Sequence, residues 1–597
     1  MRWISTQIDP SKAQRLTLAL RNSGLKFVPE SLPVIADLLV RRRIEDPDLA
    51  VRFLAPSLDH LHDPLRMLGM DAALNRLEGA IERKEKVLIY GDYDVDGTTA
   101  IVILKTAIEL CGGAATFHIP HRIREGYDLR EDVIERAAAE GIHLIISVDM
   151  GIRAFAAAEA ARRTGVDLIV TDHHLPGQDG VPRATAVVNP NQQGCAYPCK
   201  YLCGAGVAFK LGQGLMQRRL DAKDRARLLP SFMKVVAIAT IADAVPLLDE
   251  NRVFAKLGLD GLRRPVNAGL KALLEVSKLG DGRALTSTEV AFRIAPRLNA
   301  AGRMDVARDV VDLFSVKDVD RAREIAGRLN QLNADRQDEE RRIMESIESR
   351  LAEEPALREA YCMVIDGDGW HRGVIGITAT RVVERCTRPA VVISREGEQA
   401  FGSGRSIPAF HLLNALESCS ELFSRFGGHA HAVGFSLPSG NIVKLRERLD
   451  TYARARLTVA DFEPQLEFDR ELPLDQITPD VQQALTQLEP YGMDNSEPIF
   501  TAMSVRLMTP AQTVKDKHVR LRLAPAPNGT GTPAGEVVPP WRGNVTFKAM
   551  GWGLKESCER MHLLAGDRVN IAYTLGLNDH PEFGGLELTL RDIKPIT

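Results

Sequence analysis

The stretch that decides the fold is Gly91-Asp92-Tyr93-Asp94-Val95-Asp96-Gly97, which directly follows the apolar run Val87-Leu88-Ile89-Tyr90. In an extended strand alternate side chains share one face, so Asp92, Asp94 and Asp96 are expected to crowd one pocket if the strand geometry persists that far. Like charges this close repel each other and raise each other's pKa unless a cation lies among them. The stretch therefore predicts a metal site at the end of a buried strand.

A repeating rhythm of strands and helices extends outward from this stretch. The pattern predicts strands over 87–90, 116–119, 144–148 and 168–170 and helices over 98–110, 130–140 and 154–163. Strands that alternate with helices form a parallel sheet with both faces covered. We therefore expect an α/β domain here.

Acidic residues follow three of these strands. Asp149 comes directly after the third strand, and the run Asp172-His173-His174 comes just after the fourth. Ligands of open parallel sheets bind beyond the carboxyl ends of the strands, so these acids are expected to converge with the first group. Asp243 follows an apolar helix predicted over 228–240. A buried carboxylate must be protonated, paired or bound to metal, and we favour a ligand.

The candidate ligands form a hard, oxygen-rich set with imidazole and no thiolate. They are Asp92, Asp94, Asp96, Asp149, Asp172, His173, His174 and Asp243. Such a set suits Mn²⁺ or Mg²⁺, and histidine favours Mn²⁺. The carboxylates are too many for one ion, so we expect two ions ~3.5–4 Å apart that activate a bridging water. Hydrolysis of a phosphoester or phosphoanhydride is the predicted chemistry.

Other motif interpretations fit less well. An EF-hand calcium loop that began at Asp92 would need Glu at its twelfth position, which is Ile103 here. Asp94-Val95-Asp96-Gly97-Thr98 also resembles the nucleophile motif of haloacid-dehalogenase-type phosphatases, but that interpretation leaves Asp149 and the following acids unexplained. Cys195, Cys199 and Cys203 lack the tight pairs of a zinc or iron–sulfur site, so we take them as incidental thiols. The sequence has no ATP-binding P-loop motif.

Length and composition set the outer bounds. A chain of 597 residues is too long for one core, and about three to five domains are expected. The net charge of −3 gives no global basic footprint for nucleic acid, and local clefts matter more than totals. Neither a secretory signal nor a membrane-spanning run is found, and the eight scattered cysteines favour reduced thiols in a cytoplasm.

The remaining segments suggest the domain order. We predict an N-terminal helical segment over 1–75, a catalytic domain over 76–305, a connecting helix over 306–358, a second α/β domain over 359–460 and a barrel of the oligonucleotide-binding (OB) type over 461–597. Five strands are predicted for the barrel, over 500–507, 519–523, 544–550, 568–575 and 586–593. In the first segment Arg41-Arg42-Arg43 is interpreted as a solvated helix end, with phosphate contact as the alternative. The glycine-rich runs around 402–406 and 427–434 are interpreted as turns that admit an anion. The segment 525–540 is predicted to be a loop inserted between barrel strands.

Seven motifs, in order along the chain, carry a resemblance to a known family. Four resemble those of the DHH phosphoesterase superfamily: the 91–97 stretch, Val148-Asp149-Met150-Gly151, Thr171-Asp172-His173-His174 and Ala242-Asp243. Three resemble its associated domain: Trp370-His371-Arg372-Gly373-Val374-Ile375-Gly376, Gly402-Ser403-Gly404-Arg405-Ser406 and Gly427-Gly428-His429. The segment 297–303, the connecting helix and the barrel narrow the resemblance to the RecJ family of bacterial single-strand-specific DNA exonucleases.

This resemblance implies two α/β lobes joined by a long helix, with a C-terminal OB-type barrel. It implies processive 5′→3′ degradation of single-stranded DNA to mononucleotides in recombination and repair, with single-strand-binding protein and a helicase as partners. One ion would be held by Asp94 and Asp149 with Asp92 close by, and the other by Asp96, Asp149, His173 and Asp243, while Asp172 and His174 orient the ligands or touch the phosphate. DNA contacts are implied for Arg297, Asn299, Arg303, His371, Ser403, Arg405, Ser406 and His429. Stacking in the barrel is implied for Trp541, Phe547 and Trp552, with core packing equally open for Phe547.

Three features depart from the family pattern: His431, the insertion over 525–540 and the cysteine trio. None lies in the metal motifs. Two rival functions remain open from the sequence alone. One is a phosphodiesterase for very short oligonucleotides or cyclic dinucleotides, which the connecting helix and barrel disfavour. The other is a non-catalytic nucleic-acid-binding protein, which the intact set of repelling carboxylates disfavours.

Overall fold

The computed structural model describes residues 1–122, 125–126, 128–304, 307–525, 545–578 and 584–596. They form two compact units. The first unit combines Met1–His60, Pro246–Arg252 and Pro464–Thr597, and the second combines Leu61–Val245 and Val253–Glu463. The boundaries between the five segments predicted from the sequence stay a prediction.

The second unit contains a five-stranded, fully parallel sheet. Its spatial order is Ala115–His118, Val87–Gly91, Leu144–Val148, Asp167–Thr171 and Ala186–Val188. The first four are the strands predicted from the apolar runs. The chain order reverses beside Val87–Gly91, because the second strand lies on one side of it and the third on the other. A crevice at such a reversal is where open α/β sheets bind ligands.

Helices cover both faces of this sheet, as predicted. Val87–Gly91 and Leu144–Val148 are buried along their whole length. Strands buried on both faces consist of consecutive apolar residues, as these two largely do. The helices and turns of this lobe are Pro64–Arg66, Met70–Glu82, Val95–Leu110, Glu131–Ala139, Phe155–Thr164, Gly204–Arg219, Ala222–Ala242, Asp249–Leu262 (whose first residues belong to the first unit), Ala268–Val276, Ser287–Glu289, Val290–Ile294, Ala295–Met304 and Arg308–Ser315.

A helix of 35 residues, Val319–Glu353, follows and confirms the predicted connecting helix. Ile325, Leu329, Ile343 and Ile347 are buried along one face, which is the narrow apolar stripe that the spacing predicts. A short helix, Pro355–Glu359, leads from it into a second lobe.

The second lobe has a five-stranded mixed sheet in the order Arg425–Gly428, Ala432–Pro438, Gln399–Arg405, Ala390–Glu396 and Met363–Asp368. Its helices and turns are Ile375–Cys386, Leu412–Glu417, Ser420–Leu422, Ser439–Asn441, Ile442–Arg454 and Val459–Phe462. The prediction of glycine-rich turns was wrong for most of these residues, since Gly402, Gly404, Gly427 and Gly434 lie within strands. The glycines keep side chains off the sheet: a Cβ on Gly402 would lie 2.0 Å from the Phe435 ring.

The first unit contains a seven-stranded sheet that closes into a barrel. The strands are Arg470–Glu471, Phe500–Leu507, Gln512–Val514, His518–Ala524, Phe547–Gly551, Arg568–Asn578 and Gly585–Pro595. Closure occurs where Leu507 pairs with Leu523. All five predicted strands are present, and closure removes the exposed edges of the sheet, as in OB-type barrels. The helices and turns of this unit are Pro10–Arg21, Pro29–Ser31, Leu32–Arg41, Pro47–Leu54, Leu58–His60, Leu474–Gln476, Pro479–Thr486 and Lys555–Arg560, and Arg2–Ile4 pairs with Gln465–Glu467.

The interpretation of Arg41-Arg42-Arg43 as a solvated helix end was wrong for Arg42. Its side chain is only 5% exposed. It donates to the Asn495 side chain at 2.8 Å, to the Ser496 carbonyl at 2.6 Å and to the Leu38 carbonyl at 2.9 Å. Arg42 thus joins the N-terminal helices to the segment before the barrel.

In the described part of the chain, no helix combines the length and apolar character needed to cross a bilayer. All eight cysteines are free. Trp541 and most of the predicted loop over 525–540 lie outside the described residues.

Candidate metal centre

The acidic stretch does not continue the strand, so the alternate-residue argument for its three carboxylates was wrong. The strand ends at Gly91 and the helix begins at Val95, one turn earlier than predicted. Asp94 is the residue before the helix and accepts a hydrogen bond from the Gly97 N–H at 3.1 Å, which caps the helix. Asp92 therefore lies in the loop and Asp96 in the first helical turn.

Asp96 is held by a second helix. Its two carboxylate oxygens accept hydrogen bonds from the Gly204 N–H at 2.5 Å and from the Ala205 N–H at 2.8 Å. These N–H groups begin the Gly204–Arg219 helix and would otherwise lack partners. Both carboxylate oxygens of the buried Asp96 are thus oriented by backbone N–H groups at the positive end of that helix.

Asp149 lies at the centre of the cluster and has unusual backbone geometry. It is 2% exposed, with φ of 61°, a left-handed conformation that few residues other than glycine adopt. Its Oδ1 atom is buried and has no hydrogen-bond partner among the described residues. Buried polar atoms are normally satisfied, so a lone carboxylate oxygen here needs a partner from outside the chain.

His173 brings the acids of different elements together. Its Nε2 atom lies 3.3 Å from Asp149 Oδ1 and 3.8 Å from both Asp96 Oδ2 and Asp243 Oδ2. Asp243 reaches this position from the residue directly after the Ala222–Ala242 helix. Burial lowers the pKa of His173, so its ring is neutral near pH 7 and free to ligate a cation.

The carboxylate of Asp172 forms hydrogen bonds with neighbouring residues and does not belong to the three groups of candidate ligand atoms described below. Its carboxylate accepts hydrogen bonds from His174 Nδ1 at 2.7 Å, from the Ile152 N–H at 2.9 Å and from the His173 N–H at 2.7 Å. Burial opposes ionisation of Asp172, but the hydrogen bond and charge of His174 leave its pKa lowered. The same pair raises the pKa of His174 to about 9 against the opposing effect of burial. His174 therefore presents a positive charge beside the acids.

The ligand atoms fall into three overlapping groups, each within 4.8 Å. The groups are Asp92, Asp94 and Asp149; Asp96, His173 and Asp243; and Asp149, His173 and His174. The first group contains the residues that the resemblance implies for one ion, and the second contains three of the four that it implies for the other. Asp149 belongs to the first group, and its Oδ1 atom lies 3.3 Å from His173 Nε2 of the second.

The electrostatics of the cluster are those of a site built for cations. Burial, followed by repulsion from neighbouring carboxylates, raises the pKa values of Asp92, Asp94 and Asp149. The same causes raise the pKa of Asp243 to about 9. Divalent cations among these groups reverse the effect, because the ionised forms become ligands.

A cavity of about 610 Å³ lies in the second unit and is lined by five arginines, Arg122, Arg303, Arg372, Arg405 and Arg425. We call it the arginine cavity. Arg372 pairs with Glu396. None of the other four forms an ion pair within the described residues. The arginine cavity thus presents net positive charge.

Glycines form part of the wall of the arginine cavity. Gly427 and Gly434 are paired across two strands, and a Cβ on either would meet open space. Ser403 pairs with Gly434 on the next strand, and its hydroxyl accepts a hydrogen bond from Arg405 at 3.2 Å. An anion can approach such a wall closely, because no side chain stands in its way.

Ser403, Arg405 and Arg303, for which the resemblance implies DNA contacts, line this cavity, and so do Arg122 and Arg425, which were not predicted. Arg122 lies just beyond the Ala115–His118 strand, with its guanidinium 5.0 Å from the centre of the Tyr93 ring. Its position after the carboxyl end of a parallel strand was the available signal. Arg425 begins a strand that the sequence analysis interpreted as part of a turn.

Other predicted DNA-binding residues contact the protein itself. Arg297 donates to Asn330 on the connecting helix at 2.9 Å, and the Ser406 hydroxyl donates to the Phe410 carbonyl at 2.6 Å. Asn299 accepts from the Val95 N–H at 3.1 Å and so braces the acidic loop. His371 accepts from the Gly373 N–H at 3.1 Å, and His429 is exposed in the turn that also contains His431.

The barrel offers one of its candidate stacking residues to solvent. Trp552 is 59% exposed, with its ring centre 4.8 Å from that of His518. Phe547 is 3% exposed within the barrel core. Of the two alternatives for Phe547, stacking on DNA and core packing, the structure shows core packing.

Comparison with known proteins places these features in a family. Models of the DHH family N-terminal domain, the DHHA1 domain and the RecJ OB domain match residues 86–240, 359–455 and 468–532. The single-stranded-DNA-specific exonuclease RecJ of Dickeya dadantii is 34% identical over 84% of this chain and 88% of its own length. The chain belongs to the RecJ family. The Bacillus subtilis RecJ is 38% identical over 83% of this chain, and the match spans 61% of that relative.

Solved RecJ structures agree with the fold. The crystal structure of Thermus thermophilus RecJ in complex with Mn²⁺ superposes with a TM-score of 0.80 at 27% identity, covering 100% of this chain and 80% of that one. The complex of the same protein with Mg²⁺ gives a TM-score of 0.74 at 26% identity, with 100% and 79% coverage. The predicted α/β lobes and OB-type barrel are therefore confirmed as the RecJ fold.

Proposed function

We propose that this RecJ-family chain is a metal-dependent exonuclease that hydrolyses single-stranded DNA to mononucleotides, with two divalent ions, Mn²⁺ or Mg²⁺, at the acidic cluster. The observation that carries the proposal is the buried Asp149 Oδ1, which accepts no hydrogen bond within the described residues and lies near both the Asp92–Asp94 pair and His173. A carboxylate in that place is suited to bridge two ions.

The donor set fits the proposed ions. Its members offer carboxylate oxygens and the imidazoles of His173 and His174, and all cysteines of the chain lie outside the three groups. Mn²⁺ and Mg²⁺ favour such hard ligands. RecJ from Thermus thermophilus was crystallised with each of these ions.

When bound, two such ions activate a water and neutralise charge on the phosphoryl group. The residues of the chain prepare the site for this chemistry. The Gly204 and Ala205 N–H groups aim the Asp96 carboxylate. Asp172 accepts a hydrogen bond from His174 Nδ1 and keeps the ring charged, so that the half-exposed ring can donate its other N–H to a phosphate oxygen.

The arginine cavity supplies the contacts to the DNA backbone. Arginine guanidinium groups bind phosphate through paired hydrogen bonds, and the glycine wall lets the backbone come close. Arg303 joins this cavity to the second lobe, since it donates to the Gly373 carbonyl at 3.1 Å. The cavity therefore contacts the phosphates of bound nucleotides and does not distinguish their bases.

The finer parts of the proposal rest on the family resemblance. They are the 5′→3′ polarity, a role in recombination and repair, contacts with single-strand-binding protein and a helicase, and the roles of the individual site residues. A cytoplasmic location agrees with a DNA substrate and with eight free cysteines.

One experiment separates this function from its rivals. The purified chain is incubated with Mn²⁺ or Mg²⁺ and long single-stranded DNA labelled at either end, beside a dinucleotide, with EDTA and Asp149→Ala as negative arms. We expect mononucleotides from the 5′ end and no release in either negative arm. Activity confined to the dinucleotide would favour the short-oligonucleotide phosphodiesterase. Binding without cleavage would favour a non-catalytic protein.

A further inference from the structure

A second cavity, of about 860 Å³, also lies in the second unit beside the metal centre. We call it the side groove. It is bordered by the 291–303 segment, the connecting helix and the Ile375–Cys386 helix. Ala242, next to the candidate ligand Asp243, lines it, and so does Asn299, which braces the acidic loop. Arg303 lines both the side groove and the arginine cavity. A DNA strand bound at the metal centre can therefore reach both the side groove and the arginine cavity.

Four of the five arginines that line the side groove form ion pairs among the described residues, and the exception is Arg303, which the groove shares with the arginine cavity. Arg336 pairs with Glu340 at 2.7 Å, Arg381 pairs with the same Glu340 at 3.2 Å, and Arg385 pairs with Glu348. Guanidinium groups already matched by carboxylates offer little to a phosphate. Apolar side chains also line the groove, among them Ala295, Pro296, Met344 and Ile377, beside the uncharged polar residues Asn299 and Gln337. Such a surface suits nucleobases better than the backbone.

Phe292 stands at this groove and is 71% exposed. It is the most exposed phenylalanine among the described residues. It lies in the middle of a π-helical turn, Val290–Ile294, whose two end residues are fully buried. Because the buried ends share one face, the residue midway between them points outward. Turns of this kind are rare and occur often at functional sites.

The turn that carries Phe292 is firmly anchored. Arg293 donates to the Ser277 carbonyl at 2.6 Å and to the Lys278 carbonyl at 3.1 Å. The Arg293 carbonyl in turn accepts from the Ser277 hydroxyl at 3.4 Å. A rigid support lowers the entropy lost when an aromatic ring stacks on a ligand.

We propose that the side groove binds bases of the single strand next to the scissile phosphate, and that Phe292 stacks on one of them. This inference rests on the proposed exonuclease function and adds a base contact to it. Stacking tolerates any sequence, because every base has an aromatic face. The arginine cavity would hold the backbone while Phe292 holds a base, so that the strand keeps its place between successive cleavages.

The test compares Phe292→Ala, Phe292→Leu and Phe292→Tyr with the unchanged protein and with Phe155→Ala. Phe155 is a matched control, since it is also exposed (39%) but begins a helix outside both cavities. The readouts are KM, and the number of nucleotides released per binding event, on long single-stranded DNA with Mn²⁺. Melting temperatures check that each variant is folded.

We expect Phe292→Ala and Phe292→Leu to raise KM about tenfold and to shorten the runs, while Phe292→Tyr and Phe155→Ala stay near the unchanged protein. A strand with an abasic tract supplies the decisive arm. On that tract the unchanged protein and Phe292→Ala should show the same KM and the same run length, because no base is present to stack on the ring.

The outcomes separate the two proposals. If the unchanged protein releases no mononucleotides, the exonuclease function itself fails. If it does release them and Phe292→Ala matches it in KM and run length, the stacking inference is overturned. Equal behaviour of Phe292→Leu and Phe292→Tyr, or an undiminished difference on the abasic tract, would also overturn it.

Discussion

Gly204 lies so close to Asp149 that no larger residue fits between the helix and the candidate bridging carboxylate. A Cβ on Gly204 would lie 2.4 Å from Asp149 Oδ1 and 2.6 Å from its Cγ. The same glycine donates its N–H to Asp96. One backbone position thus sets the distance between two acids that come from different elements.

Gly204→Ala is expected to reduce exonuclease activity about 10²-fold, because Asp149 must shift to admit the new methyl group. The chain offers Gly206→Ala as a matched control in the same helix, where the new Cβ would meet Leu202 at an ordinary 3.4 Å. Rates with saturating Mn²⁺ and melting temperatures are measured for both. Equal rates would show that the close approach does not matter.

Asp172→Asn should weaken metal binding by about 10–100-fold, since Asp172 orients the neighbouring histidines instead of lying at the centre of the cluster. An amide NH₂ group cannot accept the N–H hydrogen bonds that the carboxylate now receives. The affinity for Mn²⁺ is measured by calorimetry. Asp132→Asn, at an exposed ion pair with Arg130, serves as the control and should bind normally. Unchanged affinity in Asp172→Asn would contradict the orienting role.

The metal-free protein should lose stability as pH rises from about 5 to about 9. Folding raises the pKa values of Asp92, Asp94 and Asp149, and that of Asp243 to about 9. Acids with raised pKa bind more protons in the folded state, so their contribution is greatest at low pH and is lost as pH rises through the folded pKa. His174, with a pKa raised to about 9, contributes in the same direction.

Melting temperatures across this pH range, with EDTA and with Mn²⁺, test that expectation. Metal binds the ionised carboxylates, so the stabilisation by Mn²⁺ should grow as pH rises. A metal effect that stays flat with pH would argue that these carboxylates are not the ligands.

Arg122→Gln and Arg425→Gln should weaken single-stranded DNA binding and reduce its salt dependence. Each lost phosphate contact lowers the slope of log affinity against log salt by about 0.7. Binding is measured with Ca²⁺ in place of the activating ion, over a range of salt. Arg448→Gln, at an exposed arginine paired with Glu421, should leave the slope unchanged. A slope that does not change in either cavity variant would exclude a backbone contact there.

Much of the fold was predictable from the sequence, because local patterns report directly on buried elements. The continuous apolar runs of Val87–Gly91 and Leu144–Val148 require a sheet covered on both faces. The acids that follow such strands converge, since the strands are parallel and their carboxyl ends share one edge. These local signals were enough to predict the α/β lobe, the connecting helix, the barrel and the membership of the acidic cluster.

Other features were decided only by tertiary structure, because they depend on contacts between residues far apart in the chain. Asp96 is aimed by N–H groups of Gly204 and Ala205, more than a hundred residues away. Arg42 is buried because partners near residue 495 satisfy it. No local pattern reports such pairings.

The acidic stretch illustrates both sides. Its residue types and its place after a buried strand favour a cation site there, since that many carboxylates cannot be buried together in the ionised form without a cation. The fold decided which carboxylate belongs to which group of candidate ligand atoms. The strand stops at Gly91, Asp94 caps the helix, and Asp149 enters from another strand with left-handed backbone geometry. Repulsion among the acids is a property of the sequence, whereas the distances that a metal requires are a property of the packed structure.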